Sequence, residues 1–155
     1  MGCANTIEWD ECEATSRRLS KRGRVLPRLL LADDQEEIRR IVTSILENEF
    51  EIIGVAENGK QVLEFVAREC PDVLVLDIFM PVLNGIDTAE CLRASHCPAK
   101  VLFMTVHEDP DFIETAISVG ALGYVSKAHL ATDLITAIRS VIENHLYISP
   151  SMHLS

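Results

Sequence analysis

From Arg28 onward two hydrophobic rhythms alternate along the chain. Short runs that are apolar without a break, such as "RLLLAD", give way to stretches in which apolar residues return every third or fourth position. Ile38, Ile41, Val42, Ile45 and Leu46 fall at i, i+3, i+4, i+7 and i+8, one face of an α-helix. "EIIGVAE" predicts a second strand, and residues 59–69 a helix with Val62, Leu63 and Val66 on one side. "DVLVLD", a helix from about Gly85 to Ala94, "KVLFMT", a helix from about Pro110 to Val119, "GYVS", and a last helix through Leu134, Ile138 and Val141 complete five strand–helix units.

Strands that are apolar along their whole length are buried on both faces, as in a parallel sheet with helices on either side. Right-handed crossovers then give an α/β fold, a flavodoxin-like (βα)5 doubly wound parallel sheet in strand order 2-1-3-4-5. At 155 residues the chain fits one such domain with a tail. The expected division is a disordered leader over residues 1–26, the folded domain over 27–146, and the start of a linker or C-terminal tail over 147–155.

Composition adds limits. The chain is 48% hydrophobic and 25% charged, as in ordinary globular proteins. No window approaches a membrane span and no apolar core of a secretory signal opens the chain, so a cytoplasmic protein without membrane contact is expected. "MGCANT" fits a short myristoylation pattern and is read as coincidence. Net charge is −10, but unevenly placed: residues 29–155 hold 8 Lys+Arg against 20 Asp+Glu, residues 1–28 hold 6 against 4. The acidic main part argues against a grip on a phosphate backbone, and the basic run "RRLSKRGR" is read as a solvated leader. Five cysteines with no C-x-x-C are read as reduced thiols, and the histidines form no metal-ligand spacing.

A doubly wound sheet binds its ligand beyond the carboxyl ends of its strands. The first strand ends in Asp33-Asp34, the third in Asp77 and the fourth in Thr105, and Lys127 follows the fifth at once. Three carboxylates on one rim repel by about 4 kcal/mol per pair at 4 Å and an effective dielectric of about 20, so a cation belongs among them. Hard oxygen ligands favour Mg2+ or Mn2+, and the Lys127 amine and Thr105 hydroxyl suit phosphoryl oxygens. The rim is suited to metal-assisted phosphoryl transfer with a carboxylate nucleophile. Read singly, Asp33 or Asp34 could merely cap the next helix, Thr105 and Tyr124 could be ordinary strand residues, and Lys127 a solvated charge. Asp77 is the exception, since a lone acid closing so apolar a strand is a poor structural choice.

In order, "DD", "LDIFMPVLNG", "FMT" and "GYVSK" resemble the receiver domain of two-component response regulators, over about Arg28 to Asn144. The resemblance implies that Asp77 is the phosphoacceptor and that Asp34, Asp77 and the Phe79 backbone carbonyl bind Mg2+, Asp33 holding a metal water. It further implies that Thr105 and Tyr124 form a switch pair, Lys127 contacts the phosphoryl group, and a sensor histidine kinase is the donor. Phosphorylation would draw the Thr105 hydroxyl inward and let Tyr124 turn into the space, remodelling the face of the fourth helix and fifth strand. Such a chain is a signalling domain rather than an enzyme, with at most self-phosphorylation and slow autodephosphorylation.

Two other motifs are set aside. "GVAENGKQ" fits a P-loop only in part, with Gln61 where Ser or Thr is needed and Gly54 inside a strand. A dehalogenase-type phosphatase wants a second acid two residues after the nucleophile, where this chain has Phe79. Ala128 follows Lys127 in place of the frequent proline, so no cis bond is expected there. Phe79 and His107, each two residues beyond an active-site residue, are placed to flank the path of an attacking water. The closing "ENHLYISPSM" resembles the junction to a helix-turn-helix domain in the NarL/FixJ (LuxR-type) class. The expected output is transcription through a DNA-binding domain outside these residues, with no nucleic acid bound by this chain alone; the alternative is a stand-alone receiver acting by protein contact. A homodimer through helices one and five, or through helix four and strand five, is compatible with either.

Overall fold

The computed structural model describes residues 19–20 and 22–152. The strands are β1 (Arg28–Ala32), β2 (Glu51–Ala56), β3 (Val73–Asp77), β4 (Lys100–Thr105), β5 (Gly123–Ser126) and β6 (Tyr147–Ile148). The helices are α1 (Glu36–Leu46), α2 (Gly59–Arg68), α3 (Gly85–Ala94), α4 (Pro110–Ser118) and α5 (Leu130–Ile142). All pairings are parallel, and the sheet order is β2-β1-β3-β4-β5-β6. The expected order is therefore present, with one further strand at the β5 edge.

Alternate strand residues serve two cores, as a period of two requires. Leu30, Ala32, Leu74, Leu76, Phe103 and Tyr124 face α2, α3 and α4, which contribute Val62, Val66, Ala89, Leu92, Ile113 and Ala116. Leu29, Leu31, Val73, Val75, Leu102 and Met104 face α1 and α5, whose Val42, Leu46, Leu134, Ile138 and Val141 complete the second core. Of the α1 stripe, Ile38 and Ile45 pack against that core while Ile41 stays exposed, at the edge of the apolar arc.

Helix starts follow local chemistry. Asn58, Asn84 and Asp109 each accept from a backbone amide two or three residues on, capping α2, α3 and α4, and Pro110 sits in the first turn of α4. Gly85 is required by packing, since a Cβ there would lie 2.3 Å from the Asp77 carbonyl oxygen. Its absence lets the start of α3 close onto the strand end that carries Asp77.

Two expectations change. The stretch 147–152, expected as linker or tail, pairs with β5 and buries Ser149 and Met152 in the domain. Two residues are too few for strand periodicity to show in a sequence. Cys70 and Cys91 are disulfide-bonded, not reduced thiols, whereas Cys97 is free; neither bonded cysteine lies in a C-x-x-C, so no short-spacing signal announced it. The expected leader falls mostly on residues 1–18 and 21, which lie outside the described residues.

Candidate functional site

Register alone brings the site together. Ala32 pairs with Leu76, which sets Asp33 beside Asp77; Asp77 pairs with Met104, and Thr105 with Ser126. Each strand toward β5 thus reaches one residue further, and Asp33, Asp77, Thr105 and Lys127 crown one rim. Asp33, Asp34 and Asp77 each offer a carboxylate oxygen within 4.8 Å of the others. Lys127 Nζ lies 2.7 Å from Asp33 Oδ2 and 3.3 Å from Asp77 Oδ2, with all three side chains at least nine-tenths buried.

The electrostatics leave a deficit of positive charge. Three carboxylates against one ammonium carry a formal −2 when ionised. Burial raises the Asp77 pKa from 3.8 to about 6; Lys127 pulls it down and Asp33 pushes it up. Asp33 Oδ2 has the Lys127 charge beside it but no well-directed hydrogen bond, although it is sealed from water. A divalent ion on oxygen ligands matches both the charge and the orphaned oxygen, so the residues fit Mg2+. Asp34 is the solvent-facing member of the trio.

Neither acid caps α1. The N-cap is Gln35, and Asp33 Oδ1 instead accepts from the Gln35 amide at 2.9 Å, which fixes that carboxylate in the rim. Arg39 was not legible in the sequence: its Nη1 donates to the Asp33 carbonyl at 2.7 Å while Nη2 faces Glu57 at 3.6 Å. It ties the β1–α1 turn to the end of β2. The Phe79 amide faces Asp77 Oδ1 at 3.4 Å, wrapping the β3–α3 loop around the acid. Gly54 lies within β2, where a Cβ would meet the Phe65 ring, so the glycine serves packing and not phosphate binding.

Thr105 is buried, and its Oγ1 accepts from the His107 amide at 3.0 Å. The Tyr124 ring is also buried, with its hydroxyl donating to the His107 carbonyl at 3.0 Å. Tyr124 therefore already occupies the inward position that the resemblance assigns to the phosphorylated state. Burial pushes its pKa up to about 12, Thr105 lowers it by hydrogen bonding and Asp109 raises it. Above the rim, Phe79, His107 and Phe112 form an aromatic trio with ring centroids 4.8 to 5.5 Å apart. The sequence pointed to the first two; Phe112, on α4, carried no signal beyond a helical apolar position. The Lys127–Ala128 bond is trans, as expected, and the chain turns through a single 3-10 turn at Lys127–His129 with Ser126 as its cap.

Comparison with known proteins identifies the assembly. Residues 29–139 match the response regulator receiver domain. The chain belongs to that family. This receiver is 35% identical over 127 residues to the uncharacterized transcriptional regulatory protein YvfU of Bacillus subtilis, covering 81% of this chain and 64% of that protein. It is 32% identical over 114 residues to the chemotaxis protein CheY of Halobacterium salinarum, covering 74% and 95%. Among solved structures it is similar to a LuxR-family two-component response regulator from Aurantimonas sp. SI85-9A1, with a TM-score of 0.78, 25% identity, and coverage of 82% and 92%. The chain spans between about half and two thirds of the length of the transcriptional regulators it matches. Its family is one of signalling domains rather than classical enzymes, which bind Mg2+ at an acidic pocket and interact with histidine kinases. No helix among the described residues is long and apolar enough to cross a membrane.

Proposed function

We propose that Asp77 accepts a phosphoryl group from a phosphohistidine of a sensor kinase and that the resulting charge switches an output. The observation that carries this reading is the buried meeting of two acids on one amine at the end of the central strand, with Lys127 Nζ 2.7 Å from Asp33 and 3.3 Å from Asp77. In the transfer, an Asp77 oxygen bonds to phosphorus as the phosphorus–nitrogen bond to the donor histidine breaks, and the imidazole keeps that electron pair. Lys127 balances the charge of the transferring group. Asp34, Asp77 and the Phe79 backbone carbonyl are the residues that would hold Mg2+, with Asp33 on a metal water. Bound there, the ion supplies charge neutralisation to the phosphoryl oxygens.

The aspartyl phosphate then draws the Thr105 hydroxyl, which frees Tyr124 to hold its inward place and biases the α4–β5 face. Removing the acid tests this first step: intact mass after acetyl phosphate and Mg2+ should rise by one phosphoryl group in the wild type and not in Asp77→Asn, and chelator should abolish the rise. A rise in the variant would contradict it.

The reading extends to the whole protein as a transcription regulator of the NarL/FixJ class, working in the cytoplasm, whose DNA contacts lie outside these residues. Supporting it are the regulators that the chain matches over only part of their length. The near-full coverage of a CheY protein supports the second reading, a stand-alone receiver acting by protein contact. The reading frame beyond Ser155 separates the two. A homodimer through α1 and α5 or through α4 and β5 is compatible with both.

A further inference from the structure

Residues 147–152 do not trail from the domain; they are built into it beside the switch. Tyr147 and Ile148 pair with Gly123 and Tyr124, and the Ser149 amide donates to the Tyr124 carbonyl at 2.9 Å. Ile148 and Met152 pack into the same core as the Tyr124 ring. Ser149, with no exposed surface, donates through Oγ to Asp133 Oδ2 at 2.8 Å and accepts from the Ser126 amide at 3.0 Å. Ser126 directly precedes Lys127, the residue paired with Asp33 and Asp77. At the far end, Ser151 reaches Glu108 at 3.1 Å, next to the residue whose carbonyl holds the Tyr124 hydroxyl.

One short segment therefore touches both halves of the switch. It backs Tyr124 through strand pairing and core packing, and it clasps the strand end that aims Lys127 at the acids. We propose that Tyr147–Met152 is a strap that holds Tyr124 inward, so that seating of the strap and phosphorylation of Asp77 reinforce each other. The second half of that statement rests on the reading of Asp77 as phosphoacceptor. The physical ground is reciprocity: the strap is seated with Tyr124 inward, and whatever favours that position of Tyr124 must favour the seated strap by the same factor. Outward rotation of Tyr124 would take its ring out of the core that Ile148 and Met152 share with it and so weaken the packing that seats the strap.

The test is amide hydrogen exchange resolved by residue on the full chain. In Ser149→Ala, which strips the clasp from buried Asp133 and Ser126, the Ser149 and Met152 amides should exchange at least about tenfold faster, the worth of one lost buried hydrogen bond. The His107 amide, which bonds Thr105 and touches no atom of Ser149, should also exchange faster, by several-fold. Met152→Ala, which keeps the clasp and removes the packing, should do the same at His107. A loosened strap with unchanged His107 exchange in both variants would overturn the proposal. Wild-type protein treated with acetyl phosphate and Mg2+, with an aliquot taken for intact mass, supplies the reverse direction. A phosphorylated protein with slower Ser149 and Met152 exchange supports mutual reinforcement, and a phosphorylated protein with unchanged exchange refutes it. Absence of any mass gain would instead refute the phosphoacceptor reading, and the two variants alone would then decide whether the strap holds the switch.

Discussion

Replacing Asp77 with Asn should stabilise the metal-free receiver while removing the proposed phosphoacceptor. The Asp77 side chain is only 9% exposed, and the Asp33 and Asp34 carboxylates approach within 4.8 Å. Two charges at that separation repel by roughly 3 kcal/mol at an effective dielectric of about 20. Lys127 at 3.3 Å offsets part of this, yet burial, with Asp33 against it, still raises the Asp77 pKa from 3.8 to about 6. The folded state thus binds the proton more tightly than the unfolded state. Stability therefore increases as pH falls from about 6 toward 4, and above 6 the charged acid is a liability. A rise of this size costs the folded state on the order of 3 kcal/mol at neutral pH. Asn keeps the shape without the charge, so Asp77→Asn in chelator at pH 7.5 should gain about 1 to 3 kcal/mol, a Tm increase of several degrees. The gain should shrink toward zero near pH 4, where the wild type is itself protonated, and Mg2+ should narrow it by stabilising the wild type. Circular-dichroism melts from pH 4 to 8, in chelator and in Mg2+, measure all three. A variant no more stable than wild type in chelator at pH 7.5 would refute the claim that Asp77 is held against its own charge.

Three further outcomes are expected. Lys127→Ala leaves Asp33 buried without its counter-ion at 2.7 Å and should destabilise the metal-free protein by about 3 kcal/mol at pH 7.5, with Mg2+ restoring part; equal stability in chelator would show that the pair is not needed. Phe79→Ala removes the ring that meets His107 and Phe112 edge-on beside the acid and should shorten the phosphoryl lifetime several-fold in single-turnover dephosphorylation; an unchanged rate would contradict the shielding role. Val82, a β-branched residue at φ 69° in the β3–α3 loop, is 76% exposed, so Val82→Gly should relieve strain and raise stability by about 1 kcal/mol in urea unfolding. A loss of stability there would show that the loop does not store that strain.

The fold was legible because both faces of the sheet are covered. Buried strands such as "VLVLD" are apolar throughout and the helices between them are amphipathic, so the two rhythms announce a parallel α/β sandwich before any residue is assigned a role. The rim was legible for the same reason: a charged or hydroxyl residue ending an apolar run, as Asp77 and Thr105 do, stands out against its neighbours. Arg39 did not, because a basic residue on a helix carries no mark of reaching back to the Asp33 carbonyl. Nor did Ser149 and Asp133, two polar residues 16 apart that meet only when β6 seats against β5. The inward Tyr124 shows the same limit: sequence places it on β5, but its rotamer is decided by the core it fills and by the His107 carbonyl.

In the proposed transfer one carboxylate of the rim, Asp77, takes the phosphoryl group. Borohydride reduction of protein treated with acetyl phosphate and Mg2+ converts an acyl phosphate to an alcohol, turning the modified aspartate into homoserine, which peptide mass spectrometry locates. Homoserine at position 77, lost when Mg2+ is chelated, is the predicted result. Homoserine at 33 or 34 with residue 77 intact would contradict the account.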